Sequence, residues 1–121
     1  MKIIKAEILF YNTNVKSKFP LPSYLNQNNV FIKLTSNNGY IGYGEPSPYW
    51  KNNKKLINIL KKILTQIKNI NILKSQHFIN KLLSSHSLYS NSAEFSMSIA
   101  AITQALIDIL AKHNNLPLYK F

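Results

Sequence analysis

An α+β fold is what this 121-residue sequence predicts: a three-stranded antiparallel meander followed by a bundle of about three helices. Three observations carry that prediction. Alternating apolar and polar runs recur between Ile4 and Glu45, separated by an aperiodic stretch and by an Asn38-Gly39 turn pair. Helical spacing replaces alternation after Asn53. No internal repeat or low-complexity linker separates the two parts, so residues 1–121 read as a single domain. A chain of this length buries roughly two-thirds of its unfolded surface, which suffices for one core.

The first strand is predicted from Ile4, Ala6, Ile8 and Phe10 alternating with Lys5, Glu7, Leu9 and Tyr11. An aperiodic stretch follows from Asn12 to Asn29, longer than the ~12–15 residues usual for structureless connections, which points to a functional loop. Within it, Phe19-Pro20-Leu21-Pro22-Ser23-Tyr24-Leu25 is too apolar for a solvated loop and must pack on its own domain or on a ligand. Val30, Ile32 and Leu34 alternate with Phe31, Lys33 and Thr35 in the second strand, and Asn38-Gly39 accepts the positive φ values of a tight hairpin. The third strand is Tyr40–Glu45, with Gly42 and Gly44 marking a bulge or a close backbone approach. Pro46 and Pro48, having no N–H to donate, end the ladder.

In an antiparallel meander the first strand ends where the second begins, and the third returns to that same end. The Asn12–Asn29 and Pro46–Asn53 loops are therefore expected to emerge together. Each carries aromatics, Phe19 and Tyr24 in one, Tyr49 and Trp50 in the other, and together they make a mouth.

Leu56, Leu60, Ile63, Ile67 and Ile70 mark one face of a first helix, opposite a lysine stripe of Lys54, Lys61 and Lys68 that reads as its solvated side. Ser75 is placed as the cap of a shorter helix through Phe78, Ile79, Leu82 and Leu83, and Ser84–Ser92 as a polar connector. Asn91 and Glu94 have the spacing of a capping box for a last helix, Phe95–Ala111, which is apolar almost all round. Asn114 or Asn115 takes the left-handed position that ends it, and Pro117 forbids continuation.

A formal charge of +11 invites a nucleic-acid reading, but all 15 basic residues are lysine, and arginine is the residue most used for bidentate phosphate and guanine contacts. A basic nucleic-acid-binding domain is therefore kept only as a low-ranked alternative. Cysteine is absent, which excludes disulfides and thiolate chemistry and fits a reducing cytoplasm. No apolar run is read as reaching the ~20 residues of a membrane span, and the first residues do not read as a signal peptide. Of the four carboxylates, Glu7, Glu94 and Asp108 have structural readings on a strand face, a helix cap and an i,i+4 pair with Lys112. Glu45 stands at the mouth and is a candidate ligand contact. His77, His86 and His113 have no metal-ligand spacing, and no phosphate loop or nucleophile elbow occurs. No catalytic or metal-ligating residue is assigned.

Three stretches resemble a known module: Met1–Phe10, the hairpin ending Gly42-Tyr43-Gly44-Glu45, and Ala101–Phe121. They are similar to the amino-terminal capping domain of the enolase superfamily, in its mandelate racemase and muconate-lactonizing enzyme group. In that group a G-x-G-E segment closes the third strand, and a helix of the type A-I-x-x-A-L-x-D-L-L-G-K precedes G-L-P-L-Y. Here these read Ala101-Ile102-Thr103-Gln104-Ala105-Leu106-Ile107-Asp108-Ile109-Leu110-Ala111-Lys112 and Asn115-Leu116-Pro117-Leu118-Tyr119. Ala111 and Asn115 stand where glycines are usual.

The resemblance implies a division of labour. Lysine or histidine bases and a magnesium ion that stabilises the enediolate belong to a β/α barrel that follows the cap, so no cofactor is expected in this chain and magnesium is expected in the barrel. Lys16-Ser17-Lys18 matches the spelling of the family's base motif but falls in the first loop, and is rejected as catalytic. What the resemblance implies for this chain is a substrate-capping domain of a racemase, epimerase, cycloisomerase or acid-sugar dehydratase, inactive alone. Its expected partners are the barrel and a small carboxylate substrate, with no nucleic acid and no membrane; a homo-oligomer of the full enzyme stays open. Phe19, Leu21, Tyr24, Glu45, Tyr49 and Trp50 are the candidate substrate-facing residues. A truncated or split-gene subunit docking on a separately encoded barrel is the alternative.

Overall fold

The computed structural model of the chain describes residues 1–12, 28–46, 53–84 and 93–120. Strands β1 (Ile3–Asn12), β2 (Asn28–Ser36) and β3 (Ile41–Gly44) form one antiparallel sheet in the order β1-β2-β3. Helices α1 (Asn53–Ile67), α2 (Ser75–Ser84) and α3 (Ala93–His113) follow, with single 3-10 turns at Ile72–Lys74 and Leu118–Lys120. The α+β meander-then-helices architecture is as expected. The aperiodic loops and the polar connector fall largely on residues 13–27, 47–52 and 85–92, outside the described residues.

The helices cover one face of the sheet. α3 lies against β3 and β2, while α1 packs on β1 and α3. Val30, Ile32 and Leu34 of β2 point inward at every second position and meet Leu60 and Ile63 of α1 and Ile102 and Leu106 of α3 in the core. Each such side chain removed from water contributes about 1.5–3 kcal/mol. The lysines of α1 are exposed, as its amphipathic pattern requires.

Four local expectations are corrected. In β1 the register shifts between Ile3 and Lys5, so that Ile3 is fully buried while Ile4 is turned outward. The cause is the segment after α1: Ile3 N–H donates to the Ile70 carbonyl at 3.2 Å, and Asn69 N–H donates to the Ile3 carbonyl at 2.8 Å. This pairing holds Ile3 in place, and the bulge restores Ala6 and Ile8 to the core face. At the hairpin, only Gly39 takes a positive φ, of 87°, and Asn38 does not. Gly39 N–H donates to Ser36 O at 3.0 Å and Ser36 N–H to Tyr40 O at 2.9 Å, the pattern of a three-residue loop with glycine last.

The first helix stops at Ile67, short of Ile70, because Asn69 adopts a left-handed φ of 72°. Ser75 is already helical, and the capping side chain is Asn71, whose Oδ1 accepts from Leu73 N–H at 3.1 Å.

At the other end of the helical layer, Asn115 has φ 55°. Leu116 N–H reaches Ala111 O at 2.9 Å and Asn115 N–H reaches Lys112 O at 3.1 Å, the paired bonds of a Schellman ending. Asparagine therefore does here what glycine does more often. The proposed cap residue Asn91 lies outside the described residues; its partner Glu94 is buried in the first turn, 3.7 Å from Lys55 Nζ.

α3, with 21 residues, is also long and apolar enough to cross a bilayer by length and composition, an 18-residue window of it having a mean hydropathy of 1.4. The apolar stretch is broken by single polar residues, as the sequence reading had it, and only the averaged hydropathy is span-like. Half of that window is buried inside the domain, and its polar side chains have work to do there.

Candidate functional site

The end of the sheet where loops leave is built by strand register. Asn12, the last residue of β1, pairs with Asn28, the first of β2. Gly44, the last of β3, pairs with Ile32. Both loops thus leave from the same end, flanking β2 on either side. They are staggered, because β2 runs four residues beyond the end of β3, about 14 Å of strand. The mouth inferred from the sequence is therefore stepped, with the paired ends of β1 and β2 projecting beyond β3.

The β3 side is fixed to α3 in an unusual way. Gly42 and Gly44 face the helix, and a Cβ on either would collide with it. At Gly42 it would sit 2.8 Å from Ile109 Cγ1 and closer still to the Ala105 carbonyl oxygen. At Gly44 it would sit 2.7 Å from the Ala101 carbonyl carbon and closer to its oxygen. Of the two readings open for these glycines, close backbone approach is the one observed.

That approach puts α3 side chains within reach of the strand's outer edge. Lys112 Nζ donates to Ile41 O at 2.5 Å, Asp108 Oδ2 accepts from Tyr43 N–H at 3.0 Å, and Gln104 Oε1 accepts from Glu45 N–H at 3.1 Å. The spacing is physical: four helical residues rise about 6 Å and two strand residues about 6.8 Å, so positions 104, 108 and 112 keep step with 45, 43 and 41. Lys112 also bridges to Asp108 at 3.2 Å and lies 5.7 Å from the Tyr43 ring centroid. The expected Asp108–Lys112 pair is present, but its role is to seal a strand edge. Gln104 was missed by the sequence reading. The signal was a row of polar residues at i, i+4 and i+8 on an otherwise apolar helix.

Of the six candidate substrate-facing residues, Glu45 alone is described. It is exposed at the end of β3, its own N–H held by Gln104 and the next residue, Pro46, buried. Phe19, Leu21, Tyr24, Tyr49 and Trp50 lie outside the described residues. Among the described residues no group of three or more histidines or carboxylates could hold a metal ion. His77 and His113 are exposed, and Lys16-Ser17-Lys18 and His86 lie outside the described residues. A magnesium site does not fit the donors described here.

The family model for the mandelate racemase / muconate lactonizing enzyme N-terminal domain matches residues 5–121. A D-Ala-D/L-Ala epimerase of Cytophaga hutchinsonii is 31% identical over 130 aligned positions, which take in 98% of this chain and 33% of that enzyme. A structure from Zymomonas mobilis ZM4, described as a dehydratase, superposes with a TM-score of 0.79 at 26% identity, over 98% of this chain and 29% of the other. A mandelate racemase/muconate lactonizing protein from Paracoccus denitrificans PD1222, solved with magnesium, gives a TM-score of 0.77 over 98% of this chain and 29% of its own; at 21% identity it speaks to the fold alone. The chain spans about a third of the length of these proteins. With its meander, its glycine-mediated seat on α3 and a family match over nearly all its length, the chain belongs to the mandelate racemase / muconate lactonizing enzyme N-terminal domain family of the enolase superfamily.

Proposed function

We propose that this domain is the substrate cap of an enolase-superfamily epimerase or related enzyme, contributing loops to a site whose bases and metal ligands sit on a C-terminal β/α barrel. The observation that carries the reading is the stepped end of the sheet, from which both loops leave beside Asn12 and Gly44. In this reading Phe19, Leu21 and Tyr24 come from one side and Tyr49 and Trp50 from the other. They exclude water from the barrel mouth and so strengthen electrostatic interactions there. Glu45, anchored through its backbone to Gln104, offers a carboxylate to a cationic group on the substrate. The substrate class is a small carboxylate, and the 31% identity to a dipeptide epimerase favours a dipeptide within that class. A dipeptide's ammonium is such a cationic group.

Proton abstraction is not assigned to this chain. The test is solvent deuterium exchange at the α-carbon of Ala-Ala dipeptides, followed by proton NMR with magnesium present. The 121-residue chain alone is expected to catalyse none. Magnesium-dependent exchange by the chain alone would overturn the assignment.

A second reading is a cap that docks on a separately encoded barrel. The surface it would use is a largely apolar depression lined by Ala100, Thr103, Gln104 and Ile107 of α3 with Leu118. Co-purification of a protein of roughly 250 residues, the size of a barrel, supports this version. A lone monomer that binds no added barrel argues against it.

A further inference from the structure

The rungs that fasten β3 to α3 do different work. Ile41 and Tyr43, held by Lys112 and Asp108, are also paired with Thr35 and Lys33 of β2. Glu45 has no such second tie, because the ladder with β2 ends one residue earlier, at Gly44. Its N–H is held, among the described residues, by Gln104 Oε1 at 3.1 Å. That N–H is also the last main-chain donor before residues 47–52, since Pro46 has none.

The backbone leaving this bond is stiff. A residue that precedes proline is confined to extended conformations, and proline fixes its own φ at about −65°. With few torsions free in Glu45-Pro46, the orientation of the Glu45 amide is carried into the chain beyond it. The seat of Gly44 on the Ala101 carbonyl fixes where the strand ends. The Gln104 bond fixes which way the chain goes on from there.

We propose that Gln104 is a positioning residue for the β3 side of the mouth, aiming the Glu45 carboxylate and the chain that follows without touching substrate, a role that rests on the capping function proposed above. Asp108 and Lys112, whose strand partners are tied into the sheet on their other side, are fasteners only. Gln104 also lines the α3 depression with Ala100, Thr103, Ile107 and Leu118, so a fair replacement keeps the side chain's length. Gln104→Met does so at nearly equal helix propensity and removes the acceptor, while Gln104→Glu keeps both length and acceptor.

The test has two arms. In the 121-residue chain, followed by amide NMR, Gln104→Met should speed exchange at Glu45 about two- to tenfold, the range that loss of one hydrogen bond allows, and should shift the amide resonances of residues 49–52. Asp108→Ala should speed exchange at Tyr43 and leave residues 49–52 where they are. In a chimera carrying this chain ahead of an epimerase barrel, Gln104→Met should raise KM about two- to tenfold with kcat nearly unchanged. Gln104→Glu should stay near the parent KM, and so should Asp108→Ala despite its similar cost in stability. Unmoved resonances at residues 49–52, or a KM raised equally by Gln104→Met and Asp108→Ala, would overturn the positioning role. A chimera in which Tyr49→Ala, Trp50→Ala and Glu45→Gln raise KM and Gln104→Met does not would overturn that role alone. One whose KM ignores all four substitutions would overturn the capping function and the positioning role together.

Discussion

Replacing Gly44 with alanine tests whether close backbone approach is what seats the sheet on α3. The new Cβ would lie 2.7 Å from the Ala101 carbonyl carbon and 3.2 Å from its Cα, and nearer still to its oxygen. These are backbone atoms, so no side-chain rotamer relieves the contact; strand and helix must part by roughly 1 Å. That movement takes the 3.0 and 3.1 Å bonds from Tyr43 to Asp108 and from Glu45 to Gln104 past useful range. Overpacking costs about 1–3 kcal/mol, and each lost bond about 0.5–1.5 kcal/mol. Removing a glycine from the unfolded chain returns roughly 0.5 kcal/mol. The net is a destabilisation of about 3 kcal/mol. With an unfolding entropy near 2.1 cal/mol/K per residue over 121 residues, Tm should fall by roughly 12 °C. Urea denaturation followed by far-ultraviolet circular dichroism measures the free-energy loss, and a thermal melt the fall in Tm. Gly39→Ala is the control: its Cβ would meet nothing within 4 Å, so only the positive φ opposes it, at about 1 kcal/mol. Ala101→Gly should not rescue Gly44→Ala, since the obstructing atoms are main-chain. If Gly44→Ala is no worse than Gly39→Ala, the close-approach argument is wrong.

Other expectations concern the same helix. Gln104→Ala should cost about 0.5–1.5 kcal/mol and speed amide exchange at Glu45, while Gln104→Glu, which keeps an acceptor, should preserve most of that protection. Asp108→Ala should act likewise at Tyr43, and unchanged exchange at both sites would show that the edge is not sealed by these side chains. Asn115→Val should lower stability by about 1–2 kcal/mol, because a β-branched residue resists φ 55°, whereas Asn115→Gly should be neutral or stabilising; thermal melts decide between them.

The order of elements was legible because each strand and helix carries its own period of burial. The alternation of Val30, Ile32 and Leu34 and the spacing of Leu56, Leu60 and Ile63 are local statements of which side faces the core. What was not legible depended on partners distant in sequence. Ile4 fits the alternation as well as Ile3 does, and only the pairing of Ile3 with Asn69 and Ile70 decides which is buried. Asn71 and Ser75 are both good caps by type, and the 3-10 turn between them selects the first. At the candidate site, strand direction was enough to place both loops at one end of the sheet. The four-residue stagger came from register, and the sealing row of Gln104, Asp108 and Lys112 from contacts 59 to 71 residues apart. The loop aromatics could be nominated from composition, but aperiodic sequence says nothing of where their side chains lie.

The capping role is tested most directly by a chimera. This chain would replace the corresponding N-terminal third of the Cytophaga hutchinsonii D-Ala-D/L-Ala epimerase, the relative it matches at 31% identity, and steady-state epimerisation would be measured for the parent chimera and for Tyr49→Ala, Trp50→Ala and Glu45→Gln. If the loops line the substrate mouth, KM should rise about tenfold for at least one loop aromatic, the cost of roughly 1.4 kcal/mol of lost contact. kcat should change less, since the proposed reading puts the bases on the barrel. An active chimera whose KM is unmoved by all three substitutions would contradict the account.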